Sequence, residues 1–408
     1  LTGGLGVANF GHNHPRIIKA RVNFQKNNYL EIHKSYLNRF LAAASSNLSK
    51  VLGNNLKYVF FCNSGAEAND GALKISYKFF NGKKKLVLCS DRSFHGKTIG
   101  AGSISSGDNF VSDGARFTFQ KIPGVTRYKF NNIDNLKKII NKNKRNIYAL
   151  FIEPFSCSTL TETNKKFLIE ARKLCDKNKI LMVFDEIYSG FGKCGYDFYF
   201  KKYGIRPDII TLSKSLGGGK SSISAYVTTK KVFSQSYGSL AGSLLHSTTY
   251  NSLAEECATV IESTNILSDK KLIKNLIKLE TLIKKKLNNL KLKYPEIISD
   301  VRGAGCHHGI IFKKKFSFLK KMIKLIPIKF IQDPLFLDKV VVTSIMEEYF
   351  SKKNTITSFT SNMDVILNIS PAINSDQKTV EKSIDDLEDI LKNGVEKLVL
   401  KFVRKNLI

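Results

Sequence analysis

Apolar positions along the chain fall into two patterns. Short, near-continuous runs at Tyr58–Cys62, Leu86–Cys89, Ile147–Ile152, Ile180–Phe184, Ile209–Leu212 and Ser224–Thr228 read as buried strands. Between them, helical spacing runs from about Ala66 to Phe80 and from about Asn164 to Lys177. Strands that are apolar on both faces and alternate with helices predict an α/β fold, a mostly parallel sheet covered on both sides. From 251 to 292 the pattern is long, helical and Lys-rich on its polar side. A strand signal at Val365–Ile369 and a helix near Thr379–Lys392 then predict a smaller α+β unit. The expected division is residues 1–29 as a segment packing with the smaller domain, 30–265 as the large domain and 266–408 as the small one. No internal repeat or low-complexity linker interrupts it.

The 408 residues are 42% hydrophobic, too apolar for a disordered chain, and no run approaches the roughly 20 residues that span a bilayer. The chain begins at Leu1 rather than Met, so a further upstream segment is expected. Seven Cys, never in a CxxC spacing, read as reduced thiols of a cytoplasmic protein, with no disulfide framework. The seven His include the pair His307-His308 but no metal-ligand spacing, so no metal site is expected. The formal charge of +31 invites a nucleic-acid reading. The Lys clusters at 83–85, 284–286 and 313–315 are instead spread along the chain and not interleaved with aromatics, which points to compositional drift.

Three places carry chemistry. Asn63-Ser64-Gly65-Ala66-Glu67-Ala68 follows a strand and opens a helix, where small residues and free amides suit a phosphate; the plain alternative is a Ser-capped turn. Asp185-Glu186 ends a buried strand, a costly position for a carboxylate unless it is paired or functional. Lys214 ends the next strand inside Ser213-Lys214-Ser215-Leu216-Gly217-Gly218-Gly219, where an amine can act as a nucleophile. Gly219-Lys220-Ser221 is not a P-loop, because Lys214 stands where that motif needs Gly. A phosphate turn, a strand-end Asp and a strand-end Lys together suit pyridoxal phosphate: Lys214 for the Schiff base, Asp185 for the pyridinium, the turn for the phosphate.

With these residues in view, the chain resembles the class III pyridoxal-phosphate aminotransferases, the group of ornithine, acetylornithine and ω-amino acid transaminases. The resemblance runs from Gly6–Pro15 to Ser370-Pro371. It includes Phe94-His95-Gly96-Lys97-Thr98, Glu153-Pro154, Asp185-Glu186-Ile187, Ser189–Gly192, Pro207–Ile210, Ser213-Lys214, His246–Tyr250 and Arg302–Gly305. It implies the fold of the aspartate aminotransferase superfamily (fold type I), with a large domain built on a mostly parallel sheet and a smaller C-terminal α+β domain. It also implies pyridoxal 5′-phosphate as cofactor, held by the amides of Gly65 and Ala66 beside Ser64. Phe94 and Ile187 would lie on the two ring faces, Asp185 would keep the ring nitrogen protonated, and Lys214 would form the Schiff base and shuttle the proton. Thr249, rather than Thr248, would reach the phosphate of a neighbouring subunit in a homodimer with shared sites. Glu153 would sit near the substrate entrance.

Departures from the family pattern sharpen the substrate question. Tyr188 stands where many relatives carry a Gln to the cofactor hydroxyl, and could still donate through its phenol. Asn368 stands where carboxylate-recognising members place Arg, and Lys97 replaces another Arg, a point charge in place of a fork. An amine, amino-aldehyde or ω-amino acid donor with an oxo acid or aldehyde acceptor is therefore expected. A racemase, aminomutase or lyase on the same cofactor is the alternative, and a cofactor-free nucleic-acid binder is the remote one.

Overall fold

The computed structural model describes residues 2–32, 36–106, 121–242, 244–313 and 335–406. Helices α1 (Pro15–Lys26) and α2 (Arg39–Val51) precede strand β1 (Leu56–Cys62). Helix α3 (Gly65–Phe79) opens on a capping box: Ser64 Oγ accepts from Glu67 N, and the Glu67 carboxylate accepts from the Ser64 and Asn63 amides. Its buried face, Ala68, Ala72, Ile75 and Phe79, keeps helical spacing toward the sheet. There follow β2 (Leu86–Ser90), α4 (Ile99–Ile104), β3 (Val125–Tyr128), α5 (Ile133–Lys142), β4 (Ile147–Ile152), the short pair β5 (Phe155–Ser156) and β6 (Thr161–Glu162), α6 (Lys165–Asn178), β7 (Leu181–Asp185), β8 (Ile209–Leu212), β9 (Ser224–Thr229) and α7 (Lys230–Ser236).

The main sheet has the order β1-β9-β8-β7-β4-β2-β3. It is parallel apart from β9, which runs against both its neighbours. The expected mostly parallel sheet is therefore present, and the predicted strands are six of its seven. Strands β4 and β7 are buried at every position, which is why they read as unbroken apolar runs. Strand β3, Val-Thr-Arg-Tyr at the edge, was not foreseen, since an edge strand carries no such run.

The helical stretch predicted over 251–292 is two helices, α8 (Ala254–Leu267) and α9 (Lys270–Lys293). The break comes at Ser268-Asp269, where the Asp269 side chain accepts from Lys271 N and starts a new helix. Helix α9 buries Leu276, Leu279, Ile283, Leu287 and Leu290 and leaves its lysines outside. It covers a second, antiparallel sheet of order β10-β11-β13-β12, formed by β10 (Ile298–Ala304), β11 (His307–Phe312), β12 (Ser358–Ser361) and β13 (Val365–Ile369). Helices α10 (Phe336–Lys353), α11 (Gln377–Lys392) and α12 (Val395–Asn406) complete this part.

The N-terminal segment touches both sheets' surroundings. Helix α1 packs on α8 through Arg16–Glu262 (2.9 Å) and Arg21–Glu255 (2.8 Å). Before it, Ser215 Oγ donates to Gly6 O (2.6 Å) and Ile373 N donates to Asn9 O (2.7 Å).

Candidate active site

Parallel strands deliver their carboxyl ends to one edge of the sheet, and a cleft lies there. Its walls are Gly65, Ala66, Phe94, His95, Gly96, Glu153, Phe155, Cys157, Asp185, Ile187, Tyr188, Ser213 and Lys214. Asp185 ends β7 in register with Thr211 of β8, three residues before Lys214. Lys214 itself takes left-handed backbone (φ 50°), a conformation a non-glycine residue holds only where its surroundings impose it.

Asp185 is 5% exposed and fully engaged. Its Oδ2 accepts from Asn69 Nδ2 (2.8 Å) and lies 2.8 Å from His95 Nδ1, and its Oδ1 accepts from Ile187 N (3.0 Å). Asn69 also donates to His95 O (2.6 Å) and accepts from Thr211 Oγ1 (2.9 Å). Helix α3, the 93–97 turn, β7 and β8 are thus tied together around one carboxylate. Its neighbour Glu186 points the other way. It accepts from the Tyr199 and Phe200 amides (2.6 and 2.7 Å) and from Ser189 Oγ (3.1 Å), a structural use, and burial raises its carboxyl to about 7.

The phosphate turn is close-fitting. A Cβ on Gly65 would lie 2.9 Å from Ile187 Cδ1 and would have to displace the Ile187 side chain. Gly96 (φ 129°) lies against Ala66, its notional Cβ 2.7 Å from Ala66 Cβ. The Gly65 and Ala66 amides belong to the first turn of α3, whose N–H groups have no partner within the helix. The Ser64 hydroxyl is used as the helix cap.

Glu153 is a buried wall residue (8% exposed) rather than a surface group. Its Oε2 accepts from Phe94 N (2.9 Å), and burial raises the carboxyl to about 7. Tyr188 differs from expectation. Its hydroxyl lies 3.0 Å from His307 Nδ1 and 3.5 Å from Ser370 Oγ, and it is the face of its ring that lies 4.9 Å from Lys214 Nζ. The phenol is committed to β11 and the 370–371 turn.

Four of the expected residues, Ser64, Lys97, Asn368 and Thr249, are not in the cleft wall, the last having been expected at a neighbouring subunit's site. Lys97 is exposed beside it. Asn368 is 2% exposed on β13, its Nδ2 donating to Ser358 Oγ (3.2 Å) across the strand pair. Thr249 stands on an exposed loop whose Tyr250 carbonyl accepts from Asn63 Nδ2 (3.5 Å). Sequence reasoning in turn missed Asn69, Thr211 and His307. The signal for Asn69 was a lone amide in the small-residue face of α3, and for His307 the unexplained His pair.

The donor set fits pyridoxal phosphate. It offers helix-start amides over close-packed backbone, a carboxylate held by three N–H-bearing groups, apolar Phe94 and Ile187, and an amine on the same cleft. Among the described residues no cluster of His, Cys, Asp and Glu could hold a metal, and no helix is long and apolar enough to cross a membrane.

Residues 1–366 match the family model described as aminotransferase class-III. Among solved structures, a transaminase from the marine bacterium Virgibacillus is 19% identical, covering 97% of this chain and 89% of its own, with a TM-score of 0.84. A taurine:2-oxoglutarate aminotransferase from Bifidobacterium kashiwanohense, in complex with PLP and glutamate, is 20% identical over 97% and 89%, with a TM-score of 0.82. The ornithine δ-aminotransferase of Plasmodium falciparum is 22% identical over 97% and 88%, with a TM-score of 0.73.

Proposed function

We propose a role for each wall of the cleft from the premise that this chain belongs to the class III aminotransferase family. It is a pyridoxal-phosphate-dependent aminotransferase. When bound, the cofactor supplies an electron-poor ring that stabilises negative charge on the substrate carbon and carries the amino group between two half-reactions. The protein's own residues do the rest. Gly65 and Ala66 offer amides to the phosphate, Phe94 and Ile187 enclose the ring, and Asp185 holds the proton on the ring nitrogen. Lys214 would capture the cofactor, and its amine, once the substrate amine has displaced it, would be free to take the proton from the amino-bearing carbon of the substrate. Glu153, its carboxyl raised to about 7 by burial, exchanges its proton near neutral pH at the wall of the cleft. The observation that carries this reading is the Asp185 carboxylate, engaged by Asn69, His95 and the Ile187 amide, in one cleft with Lys214.

The donor is an amine or ω-amino acid and the acceptor an oxo acid or aldehyde. In support, no arginine lines the cleft among the described residues, so no guanidinium fork stands ready for an α-carboxylate. Lys97 and Asn368 stand outside the cleft wall. The working unit is a homodimer in which Thr249 serves the neighbouring site. Its loop exposes Leu240 (95%), Leu244 (81%) and Tyr250, apolar surface suited to a second copy. We divide the chain near 265 into large and small domains, with residues 1–29 as a segment that packs with the small domain, Ile373 N donating to Asn9 O, and that also meets α8 and Ser215. Seven unpaired cysteines support a reducing, cytoplasmic setting.

The test is the visible spectrum of the purified protein before and after borohydride, beside Lys214→Ala. A chromophore fixed to residue 214 in the native chain and absent from the variant is expected; a protein that stays colourless with added cofactor would overturn the assignment. Product formation should stop without an oxo acceptor. Turnover that persists without one would assign a racemase, aminomutase or lyase instead.

A further inference from the structure

Behind the cleft, three side chains from distant parts of the chain meet. His307 Nδ1 lies 3.0 Å from Tyr188 Oη and 3.2 Å from Ser370 Oγ. Tyr188 belongs to the turn after β7, His307 starts β11 and Ser370 follows β13, so the group joins the main sheet's cleft to the second sheet. His307 is 1% exposed, its ring packed on Tyr188 (4.5 Å between centroids) and edge-on to Phe155 of the cleft wall (6.3 Å). The Ser370 end is fixed separately, because the buried Lys193 donates to Ser370 O (3.2 Å) and Pro371 O (2.9 Å).

Neutral His307 meets the hydroxyls as acceptor or as donor at Nδ1 depending on its tautomer; we take the tautomer with Nδ1 unprotonated, in which it accepts from the phenol. Both hydroxyls can donate and Nδ1 can accept only when it carries no proton. Burial holds His307 well below its ordinary pKa, and Lys193, His308 and Lys214 add to that against a backbone contact at Cys157, so the ring stays neutral. A neutral imidazole accepting from the phenol fixes the rotation of the Tyr188 ring. Its face then lies 4.9 Å from Lys214 Nζ, within the range where an aromatic face attracts an ammonium. From the other side Gly6 closes the pair, a Cβ there falling 3.0 Å from the Tyr188 ring and 3.3 Å from Lys214 Cδ.

We propose that His307 is a positioning residue for Lys214: it holds the Tyr188 phenol so that the ring face keeps the lysine amine aimed into the cleft. The partner that this buried histidine finds is the phenol of the residue whose ring face touches Lys214. This inference rests on Lys214 being the amine that captures the cofactor.

The experiment uses cofactor-free protein and two probes. Covalent capture of pyridoxal phosphate is followed by absorbance after rapid mixing, and equilibrium affinity is measured with pyridoxine phosphate, which has no aldehyde and does not need Lys214. His307→Phe keeps the ring volume without the acceptor, and should slow capture about fivefold while leaving pyridoxine phosphate affinity unchanged. Tyr188→Phe breaks the same hydrogen bond from the other end and should do the same, with the double variant no slower than either. It also serves if His307→Phe does not fold. His307→Gln, which can still accept, should restore the native rate. Capture that is unchanged in both Phe variants, or capture and affinity falling together, would overturn the proposal. Absence of capture in the native protein would instead bring down the assignment of Lys214.

Discussion

Asn69 and Asp185 form the link on which the cofactor side of the cleft depends: Asn69 Nδ2 donates to Asp185 Oδ2 at 2.8 Å while its Oδ1 accepts from Thr211 Oγ1 at 2.9 Å. An amide can do both because it is donor and acceptor at once. Asn69→Ala leaves a buried hydroxyl unpaired and removes one donor from the carboxylate, an effect of about 1–3 kcal/mol. Pyridoxine phosphate should bind about tenfold or more weakly to this variant by fluorescence titration, with the fold retained by circular dichroism.

Glu153 makes stability depend on pH in an unusual direction. Burial raises its folded carboxyl from 4.5 to about 7, so between those values the native state keeps a proton that the unfolded chain has lost. Stability therefore falls as pH rises through that window and levels off above it. Glu153→Gln can still accept from the Phe94 amide but has no charge to desolvate. The difference in unfolding free energy between pH 5 and pH 8 should shrink by about 2–3 kcal/mol in urea titrations. It should not vanish, because Glu186 carries a similar shift.

Gly96 and Gly53 offer a paired test of close packing at the phosphate turn. Both have positive φ (129° and 87°), but a Cβ on Gly53 meets nothing within 4 Å, whereas one on Gly96 meets Ala66 at 2.7 Å. Gly53→Ala should cost about 1 kcal/mol of stability, from backbone strain alone. Gly96→Ala should cost about 2–4 kcal/mol and also weaken cofactor binding, since it pushes on the first turn of α3. Equal losses in the two variants would contradict the packing argument.

The particular residues show why some of this was readable from sequence. Asp185 and Lys214 announce themselves, because a charge ending a buried strand has few innocent explanations, and Gly65 does so through the strand-to-helix turn around it. Asn69, Thr211 and His307 do not. Their roles depend on which strands become neighbours, and nothing in residues 60–75 says that β7 and β8 will lie beside α3. The same limit applies to the second sheet. Val365–Ile369 reads as a strand on its own, but its pairing with His307–Phe312 is set by chain folding across a long separation.

Shared sites in the proposed dimer can be tested by complementation. Mixing Lys214→Ala and Thr249→Val subunits after unfolding and refolding should create hybrids with one intact site, built from one chain's Lys214 and the other's Thr249. Statistical pairing predicts about a quarter of native activity from two poorly active parents. Activity no higher than the mean of the parents would place Thr249 in its own subunit's site or in none.

The reversed strand β9 has a consequence for how the protein comes into being. Among the described residues, strand β1 pairs in the main sheet with β9 alone, and Ser224 Oγ at the start of β9 donates to Ser64 O (2.7 Å) at the phosphate turn. The Asn63–Ala66 turn therefore has no sheet partner until a strand more than 150 residues further on has been made. A ribosome-bound chain that ends before Ser224 carries every residue of that turn and its local cap but lacks its sheet partner, so cofactor capture is expected only after the loop-closure cost of bringing β9 home has been met.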